Sequence, residues 1–371
     1  MIGHMLACSH KRTDTMKSHF NALPPESLHR ISDETAGLDA VIVLHSTTLG
    51  PAAGGCRLWT YQGASGMAHD ACRLAEGMSY KNAIAGLPLG GGKAVIRQPK
   101  GQFDRRALFE AFGRAVANLN GQYVTAEDVG TTPEDMALVR THTAHVAGLP
   151  LEADGVGGDP SPWTAQGVFL SMELAAHRRL HRPLSDCTIA IQGVGHVGAA
   201  LALMLHQAGA QLLVSDVNAA AAARVAIATG ATVVGAAGIL SAKVDIFAPC
   251  ALGGVIDEVA AGRLRAKVVC GAANNQLATT ADGDRLAERG ILYAPDYVVN
   301  AGGIINVAAE YLGWPQADSN ARVEATADRL ADVFTHAETH GVAPHTAADQ
   351  LARQRIANAS LDAPDNLAVA A

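Results

Sequence analysis

From Thr188 to Asp216 the chain reads as strand, glycine turn, helix, strand and acid, and this order constrains the fold more than any other stretch. The apolar run Thr188-Ile189-Ala190-Ile191 leads into Gln192-Gly193-Val194-Gly195-His196-Val197-Gly198. An alanine- and leucine-rich segment follows to about Gly209, and a second apolar run, Gln211 to Ser215, ends at Asp216. Each glycine has a task. Gly193 permits the tight turn, Gly195 lets backbone approach a pyrophosphate, and Gly198 lets helix and strand pack closely. The pyrophosphate then rests on the helix N-terminus, and Asp216, eighteen residues after Gly198, stands where an acid accepts from ribose hydroxyls. A purely structural glycine turn leaves Asp216 unexplained. A carboxylate at that place favours NAD over NADP, because it repels a 2′-phosphate; Arg224 on the next helix could soften the preference. A P-loop is excluded, since Lys93 precedes Ala94 rather than a hydroxyl residue and no lysine follows Gly193 in the turn.

The fingerprint predicts an α/β chain whose second domain is a doubly wound Rossmann sheet, with strands near 188–193, 211–216, 231–234, 244–248, 267–270 and 291–293 alternating with helices. Ahead of it lies another α/β unit. Val41-Ile42-Val43-Leu44-His45 reads as a buried strand, Ala68–Tyr80 and Ala107–Leu119 as helices, and Ala94–Ile96 and Tyr123–Val124 as strands. Gly155-Val156-Gly157-Gly158-Asp159-Pro160-Ser161-Pro162 is the linker candidate. The expected division is 1–150 for a substrate-binding and oligomerisation domain and 151–329 for the dinucleotide domain, with the active site in a cleft between them. The strandless helical stretch from about Arg322 to Ser360 is expected to pack back on the first domain, which therefore also takes 330–371, with a loose tail after Leu361.

Lys81 and Lys93 flank the segment Asn82-Ala83-Ile84-Ala85-Gly86-Leu87-Pro88-Leu89-Gly90-Gly91-Gly92, read as the end of a small-residue helix and a triple-glycine loop. Apolar surroundings desolvate an ammonium and favour its neutral form, so one lysine could hold an anion while the other moves protons. A pair of surface lysines beside a loop is the plainer alternative. With 17% charged residues and a net charge of −7, nothing invites nucleic acid or an anionic membrane, and a small-molecule partner is expected. Six cysteines without C-x-x-C spacing read as free thiols in a reducing compartment. No run reaches the roughly 18 apolar residues of a membrane span, so a cytoplasmic protein is expected. His177 with His181 and His336 with His340 have helical i, i+4 spacing, but neither is H-E-x-x-H and no third ligand is evident; no metal is expected.

These residues carry a resemblance. Gly50-Pro51-Ala52-Ala53-Gly54-Gly55-Cys56-Arg57, Gly77-Met78-Ser79-Tyr80-Lys81-Asn82, Gly90-Gly91-Gly92-Lys93, Thr125-Ala126-Glu127-Asp128-Val129-Gly130-Thr131, Pro162-Trp163-Thr164-Ala165, Ala248-Pro249-Cys250-Ala251-Leu252-Gly253, Ala273-Asn274-Asn275-Gln276 and Asn300-Ala301-Gly302-Gly303 occur in the order of the glutamate/leucine/phenylalanine/valine dehydrogenases. The chain resembles that family over about residues 40–315, and most its leucine-acting members. The resemblance implies an NAD-dependent oxidative deamination of an apolar amino acid to a 2-oxo acid and ammonia, and a homo-oligomer, octamer or dimer. It makes Lys93 the base, Asp128 its proton-transfer partner, and Lys81 the clamp for the α-carboxylate, aided by backbone donors at Gly54 and Gly91. Ala53, Met78, Ala126, Ile304 and Val307 would line the side-chain pocket. Thr164, Cys250, Ala251, Asn274 and Asn300 would join Gly193, Gly195, His196, Val197, Gly198 and Asp216 at the cofactor.

None of the pocket residues can pair with a charged side chain, which disfavours glutamate and leaves leucine, valine and isoleucine. Ala53 replaces the leucine usual in leucine-acting members and Ile304 the usual valine, so an aromatic-preferring enzyme for phenylalanine or tryptophan is the alternative. A 2-hydroxy-acid dehydrogenase would normally need a histidine base with an arginine clamp. A nucleotide-sensing binding module would not need Lys93 and Asp128.

Overall fold

The computed structural model describes residues 24–150 and 158–362. They form two compact units, one holding the chain up to Gly158 with Glu310–Gly313 and the chain from Ala352, the other Asp159–Ala309 with Trp314–Leu351. The first is built from β1 (Ser27–Asp33), β2 (Leu38–Ser46), β3 (Ala52–Ala53), β4 (Cys56–Trp59), α1 (Ala64–Ala85), β5 (Gly90–Arg97), α2 (Arg105–Ala117), β6 (Tyr123–Val124) and α3 (Pro133–Arg140). Its six-stranded sheet runs β1-β2-β5-β3-β6, with β4 also on β5.

Period two splits the apolar strands β2 and β5 between two layers. Leu38, Ala40, Ile42, Leu44, Ala94 and Ile96 face the core made with Leu108, Phe109, Phe112 and Val116 of α2 and Met136 and Val139 of α3. Val41, Val43 and Val95 face Met67, Ala71 and Ala75 of α1. The helices carry sequence-coded ends. Asp104 accepts from the Ala107 amide at the start of α2, Thr132 and Asp135 form a capping box at α3, and left-handed Gly86 closes α1.

Gly90-Gly91-Gly92-Lys93 belongs to buried strand β5 and not to a loop. Lys81 correspondingly lies within α1, four residues before its end. The glycines are there for packing: a Cβ on Gly91 would overlap the Ser79 backbone, so only glycine lets α1 lie this close to β5. By alternation Gly91 and Lys93 share the face that α1 covers.

The second unit comprises α4 (Ser161–Leu180), β7 (Thr188–Gln192), α5 (His196–Gln207), β8 (Gln211–Ser215), α6 (Ala219–Thr229), β9 (Thr232–Val233), α7 (Ala236–Ile239), β10 (Ile246–Pro249), α8 (Glu258–Arg263), β11 (Val268–Val269), α9 (Thr280–Glu288), β12 (Leu292–Tyr293), α10 (Asp296–Val299), α11 (Gly302–Leu312) up to Ala309, α12 (Gln316–Glu324), α13 (Thr326–His340) and α14 (Pro344–Asp362) up to Leu351. All six strands are parallel in the order β12-β11-β10-β7-β8-β9. This is the doubly wound dinucleotide-binding order, with its switch point between β7 and β10. Among the described residues no helix is long and apolar enough to cross a membrane.

Two placements differ from the sequence reading. Residues 151–157, including the first three residues of the linker candidate, lie outside the described residues, and Ser161-Pro162 already opens α4. The helices assigned from 330 onward to the first domain group with the second unit as far as Leu351, because α13 buries Leu330, Val333 and Phe334 against α4 and α10. Only the end of α14 serves the first unit: Arg355 Nη1 donates to the Ile84 carbonyl at 2.7 Å and Arg353 Nε to the Tyr80 hydroxyl at 2.9 Å, bracing the end of α1.

Candidate active site

In the first unit β5 brings Lys93 to Asp128, which follows β6. Lys93 Nζ stands 2.6 Å from Asp128 Oδ2, the side chains only 7% and 19% exposed. The expected buried lysine thus has a counter-charge. Burial alone would raise the Asp128 carboxyl, but the neighbouring cations Lys93 and Arg57 outweigh it and hold the group at about 2. Asp128 stays ionised.

The Asp128 backbone is fixed by Thr131, whose Oγ1 accepts from the Asp128 amide at 2.8 Å and donates to the Cys56 carbonyl at 3.0 Å. Gly55 lies directly beneath: a Cβ there would come within 2.9 Å of Asp128 Cβ and 2.5 Å of the Glu127 carbonyl oxygen. Arg57 reaches the same Asp128 oxygen as Lys93, its Nε at 3.2 Å. Sequence reading gave Arg57 and Thr131 no role, although both lie in quoted motifs. The 71-position separation of Arg57 and Asp128 is closed by the sheet.

Lys81 is half-buried on α1, and the next residue, Asn82, ties that helix to the glycine strand by donating to the Gly90 carbonyl at 2.6 Å. Gly54 packs against Met78, and Ala53 and Ala126 are buried beside them on β3 and after β6. Ile304 and Val307 belong to the second unit, half-buried and one turn apart on α11.

In the second unit Gly193 has φ +94°, and a Cβ on it would come within 2.7 Å of Ala251, so the turn after β7 meets the loop after β10 backbone to backbone. A Cβ on Gly198 would overlap the Gly193 carbonyl. Gly195 is the opposite case: it is exposed, with nothing within 4 Å of a Cβ position. Beside it α5 starts at exposed His196, with half-buried Val197 next and no side chain capping the helix. Asp216, at the end of β8, accepts from the Val194 amide at 2.7 Å through Oδ2 and from the Asn218 amide at 2.7 Å through Oδ1. It therefore braces the turn it follows, and each oxygen keeps a second acceptor site.

Asn300 donates to Asn274 Oδ1 at 2.8 Å, while its own Oδ1 is buried with no hydrogen-bond partner among the described residues. Cys250 Sγ accepts from the Ala272 amide, and burial pushes its thiol up to about 12, so it is a neutral wall residue. Thr164 Oγ1 donates to the Pro160 carbonyl and lies against Gly303. An uncapped helix start beside open space and an orphaned buried amide oxygen fit a bound dinucleotide. Among the described residues no cluster of His, Cys, Asp or Glu is arranged to hold a metal, and Cys56, Cys72, Cys187, Cys250 and Cys270 are free thiols.

Comparison with known proteins converges on one group. The family model "Glu/Leu/Phe/Val dehydrogenase, dimerisation domain" matches residues 26–145, and "Glutamate/Leucine/Phenylalanine/Valine dehydrogenase" matches residues 214–363. A leucine dehydrogenase from Thermoactinomyces intermedius is 47% identical over 332 residues, 89% of this chain and 90% of that one. A valine dehydrogenase from Streptomyces coelicolor is 46% identical over 337 residues, 88% and 91% of the two chains. The crystal structure of L-tryptophan dehydrogenase from Nostoc punctiforme superposes with a TM-score of 0.79 at 39% identity, covering 92% of this chain and 98% of that one.

Proposed function

The chain belongs to the glutamate/leucine/phenylalanine/valine dehydrogenase family and is an amino acid dehydrogenase, and from that premise we propose that it catalyses the reversible NAD-dependent oxidative deamination of leucine, valine and isoleucine. The observation that carries the chemistry is the buried Lys93–Asp128 pair, 2.6 Å apart. Lys81 binds the substrate α-carboxylate. A nicotinamide dinucleotide, when bound, supplies the acceptor for the Cα hydride. Lys93 takes the proton of the amine and then that of the water which adds to the imine carbon; Asp128 exchanges protons with Lys93 and returns one to the departing nitrogen. The balance is amino acid, water and oxidised dinucleotide in, 2-oxo acid, ammonium, reduced dinucleotide and one proton out.

The residues toward the dinucleotide are Gly193, Gly195, His196, Val197, Gly198, Asp216, Thr164, Cys250, Ala251, Asn274 and Asn300. NAD rather than NADP follows from Asp216, whose carboxylate would meet a 2′-phosphate. Equal or better catalytic efficiency with NADP would defeat that assignment. The dimerisation description of the first family model supports a homo-oligomer.

Substrate choice rests on Ala53, Met78, Ala126, Ile304 and Val307, none of them able to neutralise a second carboxylate. Identity of 47% to a leucine dehydrogenase points the same way. The small, buried Ala53 favours the second reading, an aromatic substrate. Efficiency on leucine, valine, phenylalanine, tryptophan and glutamate, followed by absorbance of the reduced nicotinamide, decides. Leucine is expected first and glutamate last. An aromatic substrate ahead by about tenfold, the equivalent of about 1.4 kcal/mol, refutes the branched-chain reading.

A further inference from the structure

Arg57 is placed unusually for a surface-rim arginine. Its Nε lies 3.2 Å from Asp128 Oδ2, the oxygen that Lys93 Nζ also holds at 2.6 Å, while its Nη1 lies 3.2 Å from Asp70 Oδ2. Asp70 is itself fixed: the Tyr61 hydroxyl donates to the same oxygen at 2.6 Å and Arg73 Nη2 stands 3.4 Å from Oδ1. One guanidinium therefore spans two carboxylates from β4, which a lysine cannot do.

Resting on the deamination chemistry above, we propose that Arg57 is a positioning residue for the proton-transfer pair: by sharing the single Asp128 oxygen with Lys93 it fixes the carboxylate and tunes the pH dependence of proton transfer by the pair. Two cations divide the charge of one anion, so the charge balance at the shared oxygen depends on both. Both cations contribute to holding the Asp128 carboxyl low. The other groups facing the pair do not offset this. Cys56 and Tyr123 are fully buried and pushed up, hence neutral, and Asp135 is engaged by Arg105 at 2.5 Å. Removing Arg57 leaves the whole charge of Asp128 on Lys93; removing Asp70 leaves more of the Arg57 charge on Asp128. The two changes must act in opposite directions.

The test is kcat and KM for leucine oxidation against pH in the full chain, for wild type, Arg57→Gln, Arg57→Leu, Arg57→Lys and Asp70→Asn, with saturating NAD. In Arg57→Gln and Arg57→Leu the acid-side limb of kcat/KM moves up by about one pH unit, so the tenfold loss at low pH fades at high pH. Arg57→Lys keeps the charge and leaves the limb in place while kcat falls. Asp70→Asn moves the limb down, which keeps the inference testable should the neutral variants not fold. Loss by one factor at every pH with unmoved limbs, or a limb displaced the same way in Arg57→Gln and Asp70→Asn, overturns it. Turnover by the wild type is read first. Its absence on every amino acid refutes the functional reading, and the role of Arg57 falls with it; turnover without the opposed shifts refutes the role of Arg57 alone.

Discussion

Replacing Gly55 by alanine tests directly whether close packing holds the Asp128 carboxylate. The new Cβ would lie 2.5 Å from the Glu127 carbonyl oxygen and 2.9 Å from Asp128 Cβ, where ordinary contact begins at 3.4 Å. The segment bearing Asp128 must therefore retreat by about 0.5–0.9 Å, against a hydrogen bond from the Cys56 amide to the Ala126 carbonyl of 2.7 Å and the Thr131 anchors. Overpacking of this kind costs about 1–3 kcal/mol. It should lower the melting temperature by roughly 1–4 °C in a chain of this size. The catalytic effect is larger, because Lys93 and Asp128 are only 2.6 Å apart and a misplacement near 1 Å can cost about 10² in rate. Gly77→Ala is the matched control: it lies in α1 with nothing within 4 Å of a Cβ. It should keep full activity and gain about 0.5–1 kcal/mol from helix propensity. The assay is kcat/KM for leucine with a thermal melt on the same samples. Gly55→Ala retaining more than half the wild-type efficiency at an unchanged melting temperature would show that this approach does not position Asp128.

Lys93→Ala should reduce amino acid oxidation by about 10²–10⁴ while dinucleotide binding, measured by fluorescence titration, stays nearly intact. Asp128→Ala should destabilise the fold more than Lys93→Ala, by about 3 kcal/mol in denaturant titration, because it strands a buried ammonium whereas Asp128 without Lys93 keeps Arg57. Since the Asp128 carboxyl drops from 3.8 to about 2 on folding, its contribution to stability is complete above about pH 4 and is lost as pH falls through 2. Acid unfolding of Asp128→Asn should lack that component. Ala53→Leu should favour leucine over phenylalanine by filling space, at roughly 1–3 kcal/mol per methylene-sized change; an unchanged ratio would remove Ala53 from the pocket.

The primary sequence determined what depends on local backbone chemistry. The turn at Gly193–Gly198, the acid at Asp216 and the alternation of apolar runs with helices suffice to read a doubly wound sheet, because each feature answers to φ/ψ freedom, helix ends or period. Lys93 and Asp128 are assigned through the resemblance of their own motifs, Gly90-Gly91-Gly92-Lys93 and Thr125 to Thr131, to those of the family. The tertiary structure decided the rest. Gly90-Gly91-Gly92 reads as a loop from composition, since the feature that makes it a strand, the Ser79 backbone pressed against Gly91, comes from a helix packed across the sheet. The helices of 326–351 group with the second unit because of apolar contacts to α4 that no local pattern encodes. Arg57 became part of the site for the same reason: its partner lies 71 residues away, and only strand pairing through β5 brings guanidinium, carboxylate and ammonium onto one oxygen. Local conformation is written in neighbouring residues, whereas a shared charge requires distances that exist only once the sheet has formed.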